Sequence, residues 1–140
     1  MFFRRLAILG GLCMALAVSV QGQCGLEETR SAKASKWLER AQSPKPKDDL
    51  DDQMAAVREA LELHPDDADA WMMLAEFQFK ALRRGRLNWE DLLESLSALE
   101  ELCPEGMPEA AYMRAAFHYS QEAHAEALGG FQHYLAVDES

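Results

Sequence analysis

Residues Ala60 to Ala75 read ALELHPDDADAWMMLA. Pro65 lacks an amide hydrogen and its ring collides with the preceding turn, so a helix arriving through Leu63 must stop there. The same crowding pushes His64 out of helical geometry. Asp66, Asp67 and Asp69 then place carboxylates where the first turn of a new helix presents unpaired N–H groups and a partial positive charge. Trp71, Leu74 and Ala75 follow at helical spacing, so the second helix is apolar on one face from its start. A stop this short between two amphipathic helices predicts that they pack side by side and antiparallel.

Outward from that turn, the same pattern recurs. Upstream, Leu50, Met54, Val57 and Leu61 repeat at spacings of three and four, predicting a helix from Asp48 or Asp49 to Leu63. Before it, Ser43-Pro44-Lys45-Pro46-Lys47 breaks an earlier helix expected from Leu26 to Ala41. Downstream, the helix that opens near Ala68 runs to about Leu82, where Arg83-Arg84-Gly85-Arg86 interrupts it with a loop that reads as the positive cluster of the chain. Asn88 looks like a cap, and Trp89, Leu92, Leu93, Leu96, Leu99 and Leu102 mark a fourth helix through Cys103. Pro104-Glu105-Gly106-Met107-Pro108 is a second hard stop. A fifth helix is expected from Glu109 to Gln121, and a sixth, carrying Ala127, Phe131 and Tyr134, ends near Val137.

These junctions resemble a known family. Ala60, Pro65, Trp71, Leu74 and Ala75 are similar to the junction between two tetratricopeptide (TPR) repeats, in which an Ala sits late in the second helix, a Pro closes the repeat and a bulky residue precedes Leu-small. Tyr112, Ala115, Ala116 and Tyr119 repeat the bulky, small, small, aromatic order of a repeat's first helix. The repeat is about 34 residues in the family, and the wider spacing from Pro65 to Pro104 is taken up by the loop from Arg83 to Asn88. The resemblance implies an all-α fold of antiparallel helix pairs stacked as a short TPR-like α-solenoid over residues 48–140, preceded by an N-terminal helix and Pro/Lys linker at 23–47.

Residues 1–22 read as a secretory signal. Arg4 and Arg5 precede an apolar run from Leu6 to Val20, and small or polar residues follow. Cleavage after Gly22 gives a mature start at Gln23. Two other readings stay open: retention of the run as an anchor, although it is short for a span of roughly 20 residues, and lipidation at Cys24. The expected location is exported, periplasmic or envelope-associated, with lipid anchoring through Cys24 as the alternative. Of the three cysteines, Cys24 and Cys103 lie outside the signal; in an oxidising compartment they are candidates for a disulfide. The other reading leaves Cys103 buried and inert.

The full chain has 14 Lys and Arg against 24 Asp and Glu; without Arg4 and Arg5 the balance is 12 against 24. That excess speaks against nucleic acid and against an anionic membrane surface, both of which recruit Lys and Arg. A membrane is expected only if Cys24 is lipidated or the signal is retained. The acidity fits a protein partner of basic character.

Chemistry-bearing patterns are sparse. His64, His118, His124 and His133 form no helical HExxH pair, so no zinc signature arises. Asp66, Asp67 and Asp69 lack the loop glycine and distal Glu of a calcium loop, and helix-start charge explains them more simply. Cys103 has no nearby His to activate it. The expectation is a binding protein, without enzymatic activity or cofactor.

What the resemblance adds is a location. In TPR proteins the first helix of each repeat lines a concave groove that takes a peptide; the matching positions here are Asp69, Met72, Glu76 and Phe79, then Met113, Phe117 and Ser120. Such a floor is apolar and adaptable with an acidic edge. A family version that clamps a terminal carboxylate uses Lys, Arg and Asn, and Asp69, Met72 and Glu76 stand on that surface instead. The implied function is an exported scaffold that binds a peptide or helix of a partner. Its rivals are an assembly factor for c-type cytochromes or another envelope complex, and a membrane-anchored lipoprotein adaptor.

Overall fold

The computed structural model describes residues 30–138, which form six α-helices in chain order: α1 Ala32–Gln42, α2 Leu50–Leu63, α3 Ala68–Arg83, α4 Trp89–Leu102, α5 Pro108–Ser120 and α6 His124–Asp138. The described residues contain no strand, and no helix among them is long and apolar enough to cross a membrane. The expected signal (1–22) and Cys24 lie outside the described residues.

The starts of α1 to α4 are each set by a side chain that satisfies N–H groups the first turn leaves unpaired. Asp49 accepts from the N–H of Asp51 and Asp52 while Asp52 accepts from that of Asp49, a reciprocal box that fixes the start of α2. Asn88 accepts from the N–H of Asp91 at the start of α4. Pro108 opens α5, where its missing N–H costs nothing. The first helix was expected from Leu26, yet Arg30 and Ser31 are not helical: the Ser31 hydroxyl accepts from the Ala34 N–H and holds Ser31 extended.

The ends of α1 to α5 fall into two kinds. α1, α2 and α4 each stop at a residue followed by proline (Ser43, His64 and Cys103), and each of those residues still donates its N–H one turn back. α3 and α5 close with a left-handed residue instead. After α3, Gly85 (φ 70°) donates to the Leu82 carbonyl and Arg86 to that of Ala81. After α5, Glu122 (φ 61°) donates to the Tyr119 carbonyl and Ala123 to that of His118. The two closures are the same motif, with glycine in one and a glutamate held in glycine's conformation in the other.

Apolar side chains at spacings of three and four gather into two cores that share α3. Ala34, Leu38 and Ala41 of α1 pack with Met54, Val57 and Leu61 of α2 and with Leu74 and Phe77 of α3. On its other side, α3 contributes Met72 and Ala75 to a second core with Leu92, Leu96, Leu99 and Cys103, reached by Ala110 and Met113 of α5. Trp71 leans on both. α1, placed with the linker on sequence grounds, thus shares its core with α2 and α3. α6 packs on α5, and Ala127 is its buried residue.

Candidate functional site

The turn between α2 and α3 anchors the entry of the described chain. Trp71 donates its indole N–H to the Pro65 carbonyl (2.7 Å), and the Ser31 N–H donates to His64 Nε2 (2.9 Å). Arg30 donates through Nε and Nη2 to the two carboxylate oxygens of Asp67 (2.6 and 2.8 Å), and through Nη2 to Asp69 (3.3 Å). Asp67, 2 % exposed, also accepts from the Ala70 N–H as the cap of α3. Burial by itself would raise the Asp67 carboxyl. The hydrogen bonds from Arg30 and Ala70, with the guanidinium charge, outweigh it and hold the carboxyl below the usual carboxylate value.

Because Arg30 and Ser31 fix the start of α1 against this turn, α1 stands beside α3 and a cleft of about 720 Å³ opens between them. Met72, Met73, Phe77 and Met107 supply apolar lining, joined by Leu38 from α1. Glu39, Asp69 and Glu76 bring carboxylates and Lys80 an ammonium, whose Nζ lies 5.5 Å from the centre of the Phe77 ring. Asp69 is engaged by Arg30, whereas Glu39 and Glu76 are exposed and in no ion pair among the described residues. The cleft can therefore desolvate apolar surface and offer two carboxylates to a cation.

The seven groove positions expected from sequence do not form one surface. Asp69, Met72 and Glu76 line this cleft. Glu76, Phe79 and Met113 line a smaller cavity of about 180 Å³ with Glu109, Tyr112 and Tyr134, so Glu76 stands between the two. Met72 and Met113 are 8 % and 5 % exposed and belong mainly to the second core. Phe117 packs edge-on against Trp89, ring centres 5.5 Å apart, and Ser120 is exposed at the end of α5, its hydroxyl donating to the Phe117 carbonyl. Sequence reasoning missed Met73, Phe77, Lys80 and the whole contribution of α1. The available signal was α1's own polar row, Ser35, Glu39 and Gln42, one or two turns apart on a single face.

Other flagged groups have structural roles. Arg86 of the basic loop folds onto Asp51 (2.7 Å) and Asp49 (3.8 Å) at the start of α2, while Arg83 and Arg84 are exposed. His64 accepts the Ser31 N–H; the rings of His118 and His124 lie against Phe117 and Tyr119. Cys103 is buried and disulfide-bonded. The expected pairing with Cys24 falls on a residue outside the described set. Among the described residues no group of three or more His, Cys, Asp or Glu is placed to hold a metal. Comparison with protein-family models and with curated proteins finds no match to the chain.

Proposed function

We propose that the chain is an exported, short TPR-like α-solenoid that binds a segment of a partner protein in the cleft between α1 and α3. The observation that carries the reading is that cleft, about 720 Å³ in volume, with a Met/Phe lining and unpaired Glu39 and Glu76 at its edge. Its walls come mainly from α1 and α3, with Gln53 of α2 and Met107 at the entry to α5 completing them, and the first helices of successive pairs are what line the inner face of such a stack. The matching closures after α3 and α5, and the matching proline stops after α2 and α4, support two successive repeats of one hairpin. The preferred occupant is an apolar segment that carries a basic residue: the methionines adapt to its shape, and the two carboxylates select its charge.

The test compares amphipathic helical peptides that differ only in carrying Lys or Glu at their polar positions. The protein is expected to prefer the Lys set by about ten-fold or more, and Glu39→Lys with Glu76→Lys to reverse the order while the helical spectrum is kept. Glu59→Lys with Glu101→Lys, exposed positions outside the cleft, controls for the overall acidity and is expected to leave the order intact. A cleft variant that binds both sets as the parent does would move the site elsewhere.

A further inference from the structure

The net acidity of the chain hides a segregation of charge. Residues 30–47 carry Arg30, Lys33, Lys36, Arg40, Lys45 and Lys47 against one acid, Glu39, whereas residues 48–140 carry six Lys and Arg against 21 Asp and Glu. Arg30 is consumed by Asp67 and Asp69; the other five cations are exposed and in no ion pair among the described residues. The loop Arg83–Arg86 is thus not the chief positive cluster of the molecule.

The helix sorts these side chains by direction. At 3.6 residues per turn, Lys33, Lys36 and Arg40 fall within an arc of about 60°. Ala34, Leu38 and Ala41 face the core on another side, and Ser35, Glu39 and Gln42 line the cleft on a third. Trp37 borders the basic row, half-buried, with the Arg40 guanidinium 5.5 Å from its ring centre. α1 is the first helix of the described fold and packs principally on α2, so among the described residues no other helix covers this row. The connection to α2 adds Lys45 and Lys47, both exposed.

We propose that this face of α1 docks on an anionic lipid surface, with Lys33, Lys36 and Arg40 against the headgroups and Trp37 at the boundary between headgroup and acyl chain. Two features support a lipid surface. An indole beside a row of Lys and Arg is the pairing that suits a membrane interface, where one side is apolar and the other charged. The opposing field of the acidic body is short-ranged, since the screening length of about 10 Å at 0.1 M salt is no greater than the diameter of one helix. The proposal does not depend on what occupies the cleft.

The test uses the full chain and vesicles of phosphatidylcholine alone or with about one third phosphatidylglycerol, at about 0.1 M salt. The readout is the ratio of binding to anionic over neutral vesicles, because the apolar run and Arg4 and Arg5 are common to every variant. Lys33→Gln, Lys36→Gln and Arg40→Gln together are expected to lower that ratio by about a hundred-fold. The charge-keeping set Lys33→Arg, Lys36→Arg and Arg40→Lys, which guards against a folding defect, is expected to preserve it. An unchanged ratio in the Gln variant overturns the proposal. So does a parent protein that binds both vesicles equally while forming a dimer that the Gln variant loses, for then the basic row answers the acidic body of a second copy.

Discussion

Asp67 shows how much one side chain in the central turn does. It caps α3, takes both arms of the Arg30 guanidinium and so ties the entry of α1 to the turn after α2. Its folded pKa lies below the unfolded one, so the stabilisation it supplies is fully present above about pH 4 and is lost as pH falls through the folded value. Asp67→Asn keeps the cap and loses the charge. It is expected to be less stable than the parent by about 1–3 kcal/mol at neutral pH, and chemical denaturation at decreasing pH should show that gap closing below about pH 4. A gap independent of pH would place the stabilisation in shape and not in charge. The sequence made the carboxylate cluster and its helix-start role legible, because both depend on neighbours within a few residues. Arg30 was not legible as the partner, since it lies 37 residues from Asp67 and only packing brings them together.

Helix boundaries were readable for the same local reason: proline stops, Asp and Asn caps and the spacing of leucines place α2 to α5 to within a residue or two at both ends, and α6 at its end. The first helix differs because Ser31 caps it later than its composition suggests. What sequence could not show is how closely neighbouring helices approach. In α6 the adjacent Gly129 and Gly130 look alike on paper. A Cβ added at Gly129 meets nothing within 4 Å, whereas one at Gly130 would lie 2.7 Å from the Cβ of Ala115 on α5. Gly129→Ala is therefore expected to stabilise by about 0.5–1 kcal/mol through helix propensity. Gly130→Ala is expected to destabilise, because an overpacked contact costs about 1–3 kcal/mol and outweighs the same gain. Urea denaturation of the two single variants reads the signs, and equal signs would mean that α5 and α6 are not in contact at Gly130.

Over the whole molecule, the all-helical class followed from the recurring three-and-four spacing, and the structure carries it. The candidate site followed only in part. Asp69, Met72 and Glu76 reach the larger cleft because they share one face of α3; Phe79 and Met113 turn toward the neighbouring aromatic layer, and Phe117 and Ser120 lie beyond both cavities. The missing wall is α1. Its composition reads as a linker's companion, while its buried Ala34, Leu38 and Ala41 join the core of α2 and α3 and bring Glu39 and Ser35 to the cleft. The same helix then has three duties by direction: core on one side, cleft on a second and a basic row on the third. On the proposed reading, the partner enters between α1 and α3. It is tested most directly by placing a photo-crosslinking residue at Met73 or Lys80 in the cleft, and at Glu59 or Glu101 outside it, in the protein expressed in its own cells. One and the same partner is expected to be joined from both cleft positions and from neither outer position; a partner joined only from Glu59 or Glu101 would place the binding surface away from the cleft.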